Sequence, residues 1–310
     1  MALNQCLKHL RALHTSIPSQ RHVVPLAYEV HGRVRPNSSH HDPIIFLHGF
    51  LGSKRENRRV SRLLAHDLSR PVFALDLRNH GDSAHHPIHN YMAMALDVES
   101  FIKTHGLKRA TLIGHSMGAK TALALALHSP AMISNVIAVD NGPIRLPIPA
   151  EFQRYLVALA KVQQSQIKSH AEGDRILADY EAASSRSRKT LYCVNMLQSA
   201  AIRLWLLSNF IKDRHESYLK LRLPLDILNT ALGPLGDFPY MNEPVKFHRP
   251  TLFLRAHQSH YIPDHALPRV QNFFPQARVV DMDCGHWIVQ DRPEEFRQGK
   301  LMPLYAIVSQ

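Results

Sequence analysis

Cysteine is scarce in this chain. Cys6, Cys193 and Cys284 are odd in number and far apart in 310 residues. A disulfide framework is therefore excluded, and a reducing compartment fits. Cys284 lies two residues before His286, and it reads as a small buried filler rather than a reactive thiol. Long apolar runs are also missing. The longest, Thr121–Leu127 and Leu204–Leu207, fall well short of the roughly 20 residues that cross a bilayer, so no transmembrane segment is expected. Negative charge is the scarcer sign, with 25 Asp and Glu against 37 Lys and Arg, a net +12. The basic residues are dispersed, without a Lys/Arg block or interleaved aromatics, which argues against a nucleic-acid partner. Histidine is plentiful at 22 residues. His85-His86-Pro87-Ile88-His89 has ligand-like spacing, but no Cys or acidic set completes a site, and no metal is expected.

The first carboxylate is Glu29; before it stand Lys8, Arg11 and Arg21. Leu3, Leu7, Leu10 and Leu13 recur at helical spacing among basic and hydroxyl residues. This amphipathic, acid-free composition is that of a mitochondrial presequence, here residues 1–22, with the matrix as the expected address. The rest, 23–310, reads as one domain, and the 45% hydrophobic content suffices for its core.

Strands and helices alternate through the first half. Val23–His31, Pro43–Leu47 and Val72–Leu77 read as strands, Arg55–Leu68 and Tyr91–His105 as helices. Ala110–Ile113, a helix from Ala119 and the strand Asn135–Val139 follow. From about 144 to 245 helical periodicity takes over, broken by prolines, and reads as an insert rather than a separate domain. Thr251–Ala256 and Ala277–Met282 then resume the strands, around a helix near Asp264–Phe274. The pattern implies an α/β fold with a mainly parallel sheet flanked by helices. In such sheets ligands bind beyond the carboxyl ends of the strands. His48, Asp76, Ser116, Asp140 and His286 all fall at such ends.

One of these ends is the most telling. Gly114-His115-Ser116-Met117-Gly118 joins a strand to a helix. A serine on such a sharp turn needs near side-chain-free neighbours two residues away on each side. It is lifted above the sheet at a helix N-terminus, where free N–H groups favour a developing oxyanion. Ser116 is thus the candidate nucleophile, Met117 and Phe50 the candidate backbone oxyanion donors, and His286 the candidate base. The acid has two candidates. No carboxylate follows the strand after the insert until Asp264, whereas the strand before the insert ends in Asp140. His48, His115, Arg78, Asp82 and Lys120 read as supports of the surrounding loops.

The segments His48-Gly49-Phe50-Leu51-Gly52-Ser53-Lys54, Asp76–Ser83, Gly114–Thr121, Val139–Pro143 and Gly285-His286-Trp287 together resemble the α/β-hydrolases. Within that family they resemble the mitochondrial branch of ester hydrolases that includes the yeast ethanol acetyltransferases. The resemblance covers about 43–143 and 251–293. It implies the α/β-hydrolase fold, with the insert as a lid, a Ser-His-Asp triad and no cofactor in the chemistry. It also implies Asp140 as the acid, and a small ester, thioester or acyl-CoA as substrate. Transfer of acetyl from acetyl-CoA to ethanol is the specific expectation and ester hydrolysis the general one. A carbon–carbon bond hydrolase and a non-catalytic ligand-binding module are the competing readings. One departure concerns the end: Arg297-Gln298-Gly299-Lys300-Leu301-Met302-Pro303 predicts an early break in the closing helix, with weaker packing behind the last strand.

Overall fold

A computed structural model describes residues 22–34, 42–186 and 199–300. The stretch read as a presequence, apart from His22, lies outside the described residues, as do Cys6, Cys193 and the last ten positions. Seven strands form one sheet: β1 (Tyr28–His31), β2 (Ile44–Leu47), β3 (Val72–Leu75), β4 (Ala110–His115), β5 (Ile133–Val139), β8 (Thr251–Ala256) and β9 (Ala277–Met282). Their spatial order is β1-β3-β2-β4-β5-β8-β9. Only β1 runs antiparallel, against β3; every other pair in this sheet is parallel.

The continuous apolar runs of β2, β3 and β4 are buried along their whole length, as strands covered on both faces must be. Alternation then splits each strand between two apolar layers. Ile45 and Leu47 join one core with helices α2 (Tyr91–Thr104) and α3 (Met117–His128). Ile44 and Phe46 join the other with Val60 and Leu64 of α1 (Arg58–Asp67). The first strand is shorter than its pattern predicts. Val24 and Leu26 are buried, but Val24 N–H donates to Asp97 Oδ1 at 2.9 Å and Ala27 N–H to Ser83 Oγ at 2.8 Å. Those two side chains, together with one backbone bond from Asp76 N–H to Ala27 O at 2.8 Å, hold that extended segment.

The insert carries α4 (Ala150–Gln164), α5 (His170–Arg186), α6 (Ala200–Leu207) and α7 (Leu225–Ala231). It also contains a two-stranded antiparallel ribbon, β6 (Phe210–Lys212) with β7 (Leu219–Leu221), which helical periodicity did not predict. Three residues per strand are too few for alternation to register. After β9, α8 (Leu267–Phe273) having preceded it, come α9 (Ile288–Asp291) and a π-helical turn over Glu295–Lys300.

The residues just before the expected break are packed, and Leu301–Pro303, over which the break extends, lie outside the described residues. Phe296 is fully buried, its ring 6.3 Å from that of Phe46 on β2, and Arg297 pairs with Asp67 on α1. Truncating a buried Phe to Ala removes its burial and leaves a cavity, at a cost of about 3–5 kcal/mol. Phe296→Ala is therefore expected to lower unfolding stability by that amount in a denaturant titration.

Candidate active site

Ser116 ends β4 and caps α3 with φ 54° and ψ −112°, a left-handed conformation that non-glycine residues rarely hold. The two flanking glycines explain how the turn closes. A Cβ on Gly114 would lie 2.2 Å from the carbonyl oxygen of Gly118, and one on Gly118 2.4 Å from that of Leu47. The backbones of β2, β4 and α3 therefore touch. Ser116 N–H donates to Val139 O at 2.9 Å, and Asn141 Nδ2 donates to Ser116 O at 3.3 Å, which pins the strained residue from β5 and the residues after it.

Asp140, also at positive φ (48°), follows β5 and is wholly buried. Its Oδ1 accepts Ala256 N–H at 3.0 Å. Its Oδ2 lies 2.7 Å from Nδ1 of His286 and accepts Ser259 Oγ–H at 2.5 Å. Paired with a carboxylate, Nδ1 carries the proton. Nε2 on the opposite edge of the His286 ring is buried, with no hydrogen bond among the described residues. Ser116 and His286 line one cavity. The imidazole is held flat between Tyr261, stacked at 4.1 Å and 21°, and His115, 4.8 Å away. Asp264, the other candidate acid, instead bonds Arg255 at 2.5 Å with its side chain 89% exposed.

The two expected oxyanion donors are the backbone N–H groups of Met117 and Phe50. Met117 begins α3, so its N–H has no intrahelical acceptor. Phe50 N–H donates no hydrogen bond among the described residues. A Cβ on Gly49 would lie 3.5 Å from the Ser116 Cβ, so this loop runs directly against the serine. Neutral histidines hold the loop. His48 Nε2 accepts Leu77 N–H at 3.0 Å, and its Nδ1 donates to Gly49 O at 2.7 Å. His80 Nε2 accepts Leu51 N–H at 3.1 Å, and its Nδ1 donates to Arg78 O at 2.9 Å. His115 donates from Nε2 to His286 O at 2.8 Å. Burial pulls all three below their ordinary range, His115 to about 3.

The other supports bear on packing. Arg78 makes a buried pair with Asp97 at 2.5 Å and reaches Ile88 O and His22 O. Lys120 points away from the serine to Asp237 O at 3.2 Å, and burial pushes it down to about 8. His85 Nε2 donates to Arg222 O at 2.9 Å, while His89 Nδ1 accepts from Asn79 Nδ2 at 3.1 Å. Among the described residues no group of three or more His, Cys, Asp or Glu is arranged to hold a metal.

Several residues of the site carry no motif. The insert contributes Phe152 from α4 and Trp205 from α6 to the cavity over Ser116. Trp205 sits edge-on to Trp287, 4.6 Å between ring centres, and donates from Nε1 to Glu56 Oε1 at 2.7 Å. Glu56 is legible only as the fourth residue of a Ser-x-x-Glu capping box, its carboxylate accepting Ser53 N–H at 3.1 Å. Ser259 stands just beyond β8, the stretch in which the sequence lacks a carboxylate, and Tyr261 two residues later.

A mostly parallel sheet, helices on both faces and a serine on a strand-to-helix turn define an α/β hydrolase. The chain belongs to the α/β-hydrolase-fold family, which its residues 42–293 match. It is 34% identical over 277 residues to an abhydrolase domain-containing protein of Schizosaccharomyces pombe, covering 89% of this chain and 96% of that one. A probable alcohol acetyltransferase of Saccharomyces cerevisiae is 36% identical over 276 residues, 85% of this chain and 75% of that protein. An sn-1-specific diacylglycerol lipase of Mus musculus is 32% identical over 254 residues, 82% and 78% of the two chains. Among solved structures, a marine microorganism esterase superposes with a TM-score of 0.76 at 26% identity, covering 90% of this chain and 98% of that one. Named relatives include an esterase, a lipase and a probable acetyltransferase, and this chain is an enzyme of the α/β-hydrolase class.

Burial pushes the Glu56 carboxyl up from 4.5 to about 7, against the opposing bonds from Trp205 and Ser53. Between those values the folded chain binds more protons than the unfolded one, so this group makes stability fall as pH rises through the window. Glu56→Gln, which keeps an acceptor but cannot ionise, is expected to flatten that fall. Melting temperatures of both proteins from pH 4.5 to 7 check it; parallel curves contradict it.

Proposed function

We propose that the chain is a serine-dependent acyl-transfer enzyme acting on carboxylic esters or thioesters through an acyl-enzyme. The observation that carries this is the 2.7 Å contact of His286 Nδ1 with Asp140, which leaves Nε2 unpaired in the cavity that Ser116 lines. In this reading His286 Nε2 takes the proton of Ser116 Oγ as the oxygen attacks the acyl carbonyl. The negative charge on the carbonyl oxygen is received by Phe50 N–H and Met117 N–H, each such donor contributing about 3 kcal/mol at the transition state. Collapse breaks the bond to the alcohol or thiol, which leaves with the proton from His286. Water or an alcohol then attacks the acyl-Ser116, again deprotonated by His286, and Ser116 is regenerated. Asp140 holds the imidazole tautomer and stabilises the imidazolium. No cofactor enters these steps; acetyl-CoA would serve as a substrate.

A fluorophosphonate probe should label the wild type and not Ser116→Ala. Equal labelling of both would remove the serine from the mechanism and favour the binding-module reading. Asp140→Asn is expected to lower kcat by about 10⁴-fold, the typical effect of losing the tautomer-holding carboxylate, and Asp264→Asn to leave it within a few-fold. The reverse order would assign the acid to Asp264.

The names of the acetyltransferase relatives support transfer to an alcohol as the second reading. Here acetyl-CoA is the donor and ethanol the acceptor. Product analysis after incubation with acetyl-CoA, with and without ethanol, is expected to give ethyl acetate in the first case. Free acetate alone in both would assign hydrolysis.

A further inference from the structure

The cavity over Ser116 has mainly aromatic and backbone walls, yet Glu56 lines it. Its Oε1 takes both bonds, from Ser53 N–H and from Trp205 Nε1–H. Among the described residues no donor is paired with Oε2. A carboxylate offers about four acceptor positions, so half of this one is unused. The capping box accounts for the Ser53 bond, but not for the reach into the cavity or the bond to the insert. The loop also makes room for the group: a Cβ on Gly52 would lie 2.7 Å from both carboxyl oxygens.

The cavity itself is about 10 Å³, space for about one water. An ester that fills this corner displaces a wall, and Trp205 is the wall the insert supplies, bonded to Glu56 and edge-on to Trp287. When the indole moves, Glu56 loses a donor. A substrate group that replaces it recovers the bond; an alkyl group leaves Oε1 with the Ser53 bond alone. A hydroxyl suits this position better than an ammonium. It donates to the ionised carboxyl and accepts from the protonated one, whereas an ammonium needs the ionised form.

We propose that Glu56 is a specificity-determining residue of this site, receiving a hydroxyl carried by the acyl or alcohol part of the substrate, so that hydroxyl-bearing esters are preferred over their alkyl counterparts. The proposal rests on the serine acyl-transfer reading. It is tested with matched pairs, 2-hydroxyethyl against propyl acetate and p-nitrophenyl 3-hydroxybutyrate against butyrate, on wild type, Glu56→Leu, Glu56→Gln and Trp205→Phe. The wild type is expected to favour the hydroxyl member of at least one pair by about tenfold in kcat/KM. Glu56→Leu should bring that ratio to one or below, chiefly through KM, and Glu56→Gln should keep part of it. Trp205→Phe, which deletes the competing donor, should raise it. Labelling of every variant by the fluorophosphonate separates the two claims. A wild-type ratio near one, or a ratio that survives Glu56→Leu in a protein that labels normally, overturns the role of Glu56 and leaves the serine reading standing. Should Glu56→Leu fail to fold, a Trp205→Phe ratio at or below the wild type overturns it. Absence of wild-type labelling overturns the serine reading itself.

Discussion

The backbone contact between β2, β4 and the start of α3 is the constraint on which the site depends. Gly114 and Gly118 let the chain pass so closely that any side chain at either position would meet backbone within 2.4 Å. The turn between them forces Ser116 to φ 54°, a conformation that costs about 1–3 kcal/mol. The sheet holds it there through Val139 O and the Asn141 side chain. The same closeness brings the loop after β2, which carries Phe50, against the serine. Loosening this contact would release the serine and the loop after β2 together.

Around that corner the supports are polar and buried, which gives them discrete geometry. Lys54 pairs with the buried Asp76 and, at 2.6 Å, with Asp82; Asp82 in turn pairs with Arg222 of the insert at 2.9 Å. Asp76 also accepts the backbone N–H of Lys54 at 2.7 Å and of Asp82 at 2.8 Å. One chain of charges thus links the loop after β2, the turn after β3 and the insert. Removing one member of such a pair strands the other in a poorly solvated place, which costs more than the pair itself contributes. The neutral histidines 48, 80 and 115 act in the same spirit. Each uses ring nitrogens to tie loop backbones together, and burial keeps each uncharged.

Much of the architecture was legible because periodicity reports burial. The fully apolar runs of β2 and β3 had to be covered on both faces, and β8 and β9 fall where their patterns put them. The β6–β7 ribbon was not legible, since three-residue strands carry no period. The burial of Phe296 was not legible, since it packs on Phe46 from a strand some 250 positions earlier. In the site, residues with a motif were readable: Gly114, Ser116, Gly118, Gly49 and the Gly285-His286-Trp287 step. Glu56, Trp205, Ser259 and Tyr261 were not, because each acts through a partner distant in the chain.

Local sequence by itself determined what local sterics and hydrophobic period can dictate: strand–turn–helix at Ser116, the parallel α/β order, and the helical insert. Asp140 and Asp264 both stood as acids on the residues alone. Only the tertiary structure decided between their surroundings, bringing Asp140 to 2.7 Å from His286 while Asp264 turned outward to Arg255. It also decided that Trp205 of the insert would reach Glu56 across 149 positions. A hydrogen bond between residues so far apart leaves no trace in spacing or composition, since its geometry exists only once the sheet and insert have packed.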